Sequence, residues 1–169
     1  KDVKLPEERQ TSAETLEADT LEVLADLNHA SQKGLQTIFD SSVGRSTVNH
    51  PLGGRYQITP TEASVQKLPV QHGVTTTASV MAQGFNPYVA EWSPYHGAAY
   101  AVIEATARLV AAGANWSKAR FSYQEYFERM DKQAERFGQP VAALLGSIEA
   151  QIQLGLPSIG GKDSMSGTF

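Results

Sequence analysis

The strongest constraint on the fold is a long amphipathic helix near the middle of the chain. Ser93 is a suitable N-cap residue, Pro94 fits the first helical position, and Gly113 provides a stop signal. These signals predict a helix over residues 93–112. Its apolar face, at helical spacing, contains Ala99, Val102, Ile103, Thr106, Leu109 and Val110. Because such a face has to be covered, other elements must pack against this helix.

The sequence before and after this helix contains patterns that predict further helices and strands, which could cover its apolar face. Two candidate strands lie at 55–59 and 63–68, and a clearer strand is predicted at 74–81, which is dense in Thr and Val. Apolar residues at helical spacing predict four further helices, at 11–30, 28–38, 123–137 and 139–154. Glycine, serine and proline predict loops at 39–54 and 83–94 and turns after 155. Because the helices are long and the strands few, the pattern favours an α+β fold over a doubly wound parallel sheet.

The composition argues against several classes of function. The net charge of −4, without a basic stripe, argues against a nucleic-acid surface. The chain has no cysteine, which excludes disulfides and thiolate metal sites and suits a reducing cytoplasm. The most apolar stretch, 98–114, contains Glu104 and Arg108, so a transmembrane segment is not expected.

The segment that best suits chemistry lies near the end of the sequence. Adjacent glycines allow backbone amides to approach an anion closely, and a following lysine adds a positive charge for phosphates. An aspartate next to them supplies the hard oxygen that Mg²⁺ prefers. The candidate phosphate ligands are Gly160, Gly161, Lys162, Ser164 and Ser166, and the candidate metal ligand is Asp163.

This tail motif differs from a Walker A loop. Leu156 stands where that pattern needs its first glycine, and Asp163 stands where it needs Ser or Thr after the lysine. A polar turn that simply follows a helix is therefore the competing interpretation.

Glu104 is a second candidate, because it points nearly opposite the apolar face of its helix and so faces solvent, a cleft or a partner. The simpler interpretation is a solvated i,i+4 pair with Arg108. The histidines have no metal-ligand spacing, and no Ser-His-Asp arrangement can be assembled.

The tail carries a family resemblance. Residues 161–166, Gly-Lys-Asp-Ser-Met-Ser, preceded by Leu-Gly-Leu-Pro at 154–157, resemble a signature of the long, single-chain phosphoribosylformylglycinamidine synthases. Further segments match that family in the same order, at 28–33, 40–43, 51–54, 74–79, 104–105 and 114–116. The tail is the most specific part, and the other matches support it by their order.

The resemblance implies a domain organisation. Residues 1–27 become a linker or leading helix, and residues 28–169 a synthetase-like α+β domain that is truncated at its C-terminal end. In this family, and in the related aminoimidazole ribonucleotide synthetases, such a domain has a ferredoxin-like sheet with helices on one face. The chain resembles the first domain of the second synthetase-like half, which pairs sheet to sheet with a related domain.

The resemblance also implies an activity. The family members are glutamine-dependent, ATP-consuming ligases that convert formylglycinamide ribonucleotide to formylglycinamidine ribonucleotide in purine biosynthesis. The half that this chain resembles holds an auxiliary ATP or ADP with Mg²⁺, and the matching positions assign Asp163 and Glu104 to the metal. No catalytic residue falls on this chain, so we expect the isolated piece to be inactive.

The implied partners are the other synthetase-like half and the glutaminase domain. Since a truncated sheet leaves an unpaired edge, a homodimer that imitates the natural pseudo-dimer is a further expectation.

Two positions depart from the family pattern. Arg108 replaces an asparagine and His72 replaces an aspartate, which removes about two units of negative charge from a Mg²⁺ site. The nucleotide then binds with fewer metals, or Arg108 contacts phosphate directly, or the site has become a salt-bridged structural core. Two other functions remain open: a purely structural domain without a ligand, and a small-molecule kinase or synthetase of the same superfamily.

Overall fold

The computed structural model describes residues 12–38 and 45–168. The helices are α1 (Leu16–Ala25), α2 (Lys33–Gln36), α3 (Pro87–Trp92), α4 (Pro94–Ala111) and α5 (Ala134–Leu154). The strands are β1 (Leu52–Gly53), β2 (Thr59–Pro60), β3 (Ala63–Lys67), β4 (Ala78–Ala82), β5 (Phe121–Glu128) and β6 (Ser158–Gly167). A short 3-10 helix covers Trp116–Lys118. This element order confirms the α+β class.

Helix α4 is the long amphipathic helix that the sequence predicts. The Ser93 hydroxyl accepts a hydrogen bond from the His96 backbone N–H, and the chain leaves the helix through Gly113 at a φ of 84°. The buried positions are Gly97, Val102, Ala105 and Thr106. Ile103 and Val110, which the predicted face included, are 52% and 51% exposed. The buried face is therefore rotated towards Ala105.

Strands β3 and β4 pair antiparallel, with Val65 opposite Val80, and confirm the two strands predicted in this region. The strand predicted at 55–59 is wrong. Residues 54–57 form a turn between β1 and β2 instead, in which Gly54 and Gln57 both have positive φ angles (77° and 52°). The predicted loop before α4 contains the short helix α3.

The last third of the chain forms a β5–α5–β6 unit, in which β5 and β6 run parallel. The helix predicted at 123–137 is wrong, because exposure alternates residue by residue along most of β5, as expected for a strand with one covered face. Helix α5 also continues through Gly138 and Pro140, so the predicted break at Gly138 is wrong. It ends at Gly155, whose φ is 66°. The turns predicted after residue 155 are wrong for most of this segment, because residues 158–167 form strand β6.

The core lies where α4 and α5 pack against β5. Its buried cluster consists of Val102, Ala105, Phe121, Ala150 and Leu156. The described strands form three separate two-stranded ladders, β1–β2, β3–β4 and β5–β6. A single ferredoxin-like sheet with helices on one face is therefore not confirmed. Within the described residues, no helix is both long and apolar enough to cross a bilayer.

Candidate functional site

Arg108 is bound through all three nitrogens of its guanidinium. Its Nε lies 2.8 Å from Glu62 Oε2, and its Nη2 lies 2.8 Å from Glu104 Oε1. Its Nη1 donates to the Gln83 carbonyl oxygen at 2.8 Å. The second oxygen of Glu104 accepts from the Phe85 backbone N–H at 2.8 Å. The i,i+4 pair that offered the simpler account of Glu104 is therefore present.

This network joins three segments of the fold. Glu62 lies in the turn between β2 and β3, Gln83 follows β4, and Arg108 and Glu104 are one turn apart on α4. Two carboxylates face one guanidinium, so the positive charge of Arg108 is already balanced. A phosphate at Arg108, or a metal ion at Glu104, would have to compete with these contacts.

An open cavity of about 790 Å³ lies beside Arg108. Hydroxyl and carboxamide side chains make up much of its wall, among them Gln36, Asn49, Thr61 and Gln66. Arg108 lines the cavity, but none of residues 160–166 does. The tail motif and this cavity are thus separate features.

The tail motif lies on strand β6. Phe121 pairs with Ser158 and Ser122 pairs with Gly160, so the chain bulges at Ile159 and Gly160, where φ is 154°. A Cβ at Gly161 would lie 2.9 Å from the Tyr123 carbonyl oxygen, closer than real Cβ contacts. Glycine at 161 is therefore required by the close approach of β5. The polar-turn interpretation is wrong about the local structure, since the motif is a strand.

Two motif side chains bond to each other: Lys162 Nζ donates to Ser164 Oγ at 2.7 Å. Asp163 is exposed and pairs in register with Glu125 of β5.

The side chains of Tyr123 and Glu125 lie two residues apart on one face of β5. Burial raises the pKa of Glu125, and the negative charge of Asp163 raises that pKa further. Burial, followed by the charge of Glu125, raises the pKa of Tyr123 from 10.0 to about 12. Within the described structure, Glu125 Oε2 and the Tyr123 hydroxyl are buried and have no hydrogen-bond partner. This face therefore concentrates negative charge and unpartnered oxygen atoms.

The predicted metal ligands lie in different surroundings. The Glu104 carboxylate belongs to the Arg108 network, whereas Asp163 lies beside Glu125. His72 is exposed between β3 and β4. The described ranges contain no group of three or more His, Asp or Glu side chains that is arranged to hold a metal ion.

Sequence reasoning missed Glu62 and Glu125. The alternation of Phe121, Tyr123 and Glu125 was a usable signal for the second, because it places these side chains on one face of a strand. Glu62 meets Arg108 across 46 positions of sequence, and no local pattern indicates such a contact.

Comparison with known proteins gives one structural likeness. A scan against protein-family models and a search of curated proteins gave no match. The fold is similar to a chain in the structure of PurLQS from Thermotoga maritima, with a TM-score of 0.65 and 18% sequence identity. The likeness covers 83% of this chain and 21% of that chain, so this chain spans about a fifth of its length. At this identity the likeness establishes a shared fold.

Proposed function

We propose that this chain is a synthetase-like domain of a phosphoribosylformylglycinamidine synthase, an ATP-dependent carbon–nitrogen ligase of purine biosynthesis in the cytoplasm. Its role there is that of an auxiliary nucleotide-binding or scaffold domain, formed by residues 28–169 after a leading segment. The observation that carries this proposal is the Gly-Lys-Asp-Ser-Met-Ser motif of that family in a chain whose fold is similar to PurLQS. The motif is a feature of the sequence and the likeness is a feature of the backbone, so the two support the proposal separately.

The face of β5 and β6 supports a cation next to the motif. Mg²⁺ commonly keeps several waters and takes one or two carboxylates together with substrate phosphates. Asp163 and Glu125 offer two carboxylates at neighbouring register positions, and Glu125 has a buried oxygen without a partner in the described structure. Burial and, second, the charge of Asp163 raise the pKa of Glu125, and a cation there would offset both effects. The proposed ligands are therefore Asp163 and Glu125, and Glu104 takes part only if it leaves Arg108.

The phosphates would lie along the start of β6. Gly160 has open space around its Cα, which allows close approach of an anion to the backbone. Lys162 would supply positive charge, and Ser164 and Ser166 would supply hydroxyl donors. Lys162 and Ser164 alternate with Asp163 along β6, so their side chains lie on the face opposite the two carboxylates, and a nucleotide would have to reach both faces of the strand to contact both sets. In this auxiliary role the nucleotide would supply no reacting group.

A purely structural domain without a ligand is the second candidate. The Arg108 network favours it, because an arginine that is balanced by Glu62 and Glu104 has the bonding of a structural cross-link. Gly161 favours it as well, since packing against Tyr123 accounts for that glycine without a ligand.

Titration calorimetry with ADP and Mg²⁺ separates the two candidates. We expect binding by the wild-type chain and at least about tenfold weaker binding by Asp163→Ala and by Glu125→Gln, a loss of about 1.4 kcal/mol. Asp19→Ala, which removes an equal charge from α1, is the matched control and should bind like the wild type. Absence of binding by the wild type would favour the structural domain. Binding that survives both β5–β6 substitutions would place the nucleotide elsewhere.

The remaining parts of the enzyme are proposed partners: the other synthetase-like half and the glutaminase domain. Without them, we expect no conversion of formylglycinamide ribonucleotide by this chain when ATP and ammonia are supplied.

A further inference from the structure

Helix α1 leaves an apolar stripe uncovered. None of its ten residues is buried. Leu16, Val23 and Leu24, together with Leu27 just after the helix, are 56%, 48%, 61% and 84% exposed. At helical spacing Leu16, Val23 and Leu24 fall within an arc of about 100°, the width that is typical of a helix face packed against another surface. Leu27 lies in the turn that follows the extended residue Asp26.

The same segment is strongly acidic. Residues 12–32 contain no Lys or Arg, and they contain five carboxylates: Glu14, Glu17, Asp19, Glu22 and Asp26. A surface that covers this helix must therefore combine apolar side chains with positive charge at its edge. An anionic membrane or a nucleic acid does not meet this requirement.

The helix is held in place at its C-terminal end. The Tyr88 hydroxyl donates to Asp26 Oδ2 and accepts from Asn28 Nδ2, both at 3.2 Å. The His29 ring stacks on Tyr88 with 5.8 Å between ring centroids. These contacts fix the end of α1 relative to α3. The apolar stripe of α1 remains uncovered within its own molecule.

The fold also contains a groove with the complementary character. It has a volume of about 220 Å³ and is lined by Ile103, Thr106, Ala107, Val110, Trp116 and Leu154. Ile103 and Val110 are about half exposed there. Lys118 belongs to the same 3-10 helix as Trp116, and Arg120 follows two residues later. The groove is thus largely apolar, and two exposed basic residues follow its Trp116 in sequence.

We propose that α1 of one molecule docks into this groove of a second copy of the chain. The apolar stripe covers Ile103, Val110 and Trp116, and the acidic side chains of α1 face Lys118 and Arg120. If α1 of each molecule docks into the groove of the other, the two equivalent contacts form a symmetric dimer. This surface is independent of the proposed nucleotide site.

The area limits the strength of this dimer. Four apolar side chains of this size bury roughly 300 Å² on the helix side of each contact. Counting both sides of two reciprocal contacts gives about 1,200 Å², the lower end of the range for stable interfaces. For an interface of this size without large aromatic anchors on the helix, we expect a dissociation constant in about the micromolar range.

Sedimentation equilibrium between roughly 5 and 500 µM tests the docking, a range centred on that micromolar association. We expect a monomer–dimer equilibrium that Leu24→Asp on the helix and Val110→Asp in the groove each weaken at least about tenfold. Leu145→Asp is the matched control, since Leu145 lies on α5 outside both surfaces and is 56% exposed. It should leave association unchanged. Circular dichroism verifies that each variant keeps its helices.

Reversing the charge on each side tests whether α1 of one molecule contacts the groove of the other. Lys118→Glu and Glu17→Lys should each weaken association about threefold, and the two together should restore it. A monomer over the whole range overturns the proposal. So does a dimer that persists in Leu24→Asp or Val110→Asp, which would point to pairing through a sheet edge. Equal disruption by Leu145→Asp, or failure of the double reversal to restore association, would also overturn it.

Discussion

Replacing Gly146 with alanine tests the close packing of α4 on α5. A Cβ at this position would overlap the carbonyl oxygen of Tyr95 and lie 2.8 Å from its carbonyl carbon, whereas ordinary contacts begin at 3.4 Å. Tyr95 meets Gly146 with backbone atoms, which cannot turn aside as a side chain can. The two helices must therefore move apart, which loosens the buried cluster that contains Val102 of α4 and Ala150 of α5.

The expected magnitude combines two opposing terms. Alanine is favoured over glycine inside a helix by about 1 kcal/mol. Overpacking against an unyielding neighbour costs about 3 kcal/mol, the upper part of its usual range. The free energy of unfolding should therefore fall by about 2 kcal/mol, and the melting temperature by about 4–8 °C for a chain of this size.

Gly138→Ala is the matched control, because it makes the same substitution in the same helix. A Cβ at Gly138 would meet nothing within 4 Å, so this variant should gain about 0.5–1 kcal/mol from helix propensity alone. Urea unfolding followed by circular dichroism measures both variants. If Gly146→Ala gains stability as Gly138→Ala does, the close contact between α4 and α5 does not exist and the arrangement of the core is wrong.

Two further substitutions test the polar groups of the two candidate sites. Tyr123→Phe removes a buried hydroxyl without a described partner, so stability at pH 7 should be unchanged or higher by about 1 kcal/mol. The pKa of Tyr123 is raised to about 12 in the folded state, so stability that is present below pH 10 is lost as the pH rises towards 12. The Phe variant should lose less between pH 9 and pH 11 in urea unfolding; a steeper loss would contradict the burial of this hydroxyl. Arg108→Met should cost about 1–2 kcal/mol in thermal unfolding, because it leaves Glu104 partly buried without its charged partner. Arg120→Met, whose guanidinium bonds to carbonyls of its own segment, should change stability by less than about 0.5 kcal/mol, and equal losses would show that the Arg108 network contributes nothing special.

Helix α4 was predictable because its signals lie at its own ends. Helix α4 has a cap at Ser93, a proline at the first position and a glycine after its end, and each feature acts within one helical turn. Strand β5 lacks such local signals. It is stabilised by parallel pairing with β6, which lies on the far side of the 21-residue helix α5. The local pattern within residues 123–137 therefore favoured a helix, although burial alternates along most of β5.

The continuity of α5 has a similar cause. Gly138 and Pro140 are both unfavourable inside a helix, so local propensity predicted a break. The packed face further along, with Ala143, Gly146 and Ala150 buried, lies on the same helix. Tertiary packing of that face outweighs the local preference, as it does for most helices in folded proteins.

Prediction from local sequence has the same limit for the charged residues of the candidate site. The pair of Glu104 and Arg108 was predictable, since residues four apart on a helix are neighbours. Glu62 reaches the same guanidinium from a distant turn. Arg108 is therefore shared by two carboxylates, which leaves one uncompensated negative charge in this region. On β5 and β6, by contrast, Glu125 and Asp163 repel each other, and within the described residues no cation is bonded to the buried oxygen of Glu125. A bound cation therefore gains more at β5–β6 than at Arg108. Because of this difference in charge, we propose the metal site at Asp163 on β6, and Glu104 keeps its ion pair with Arg108.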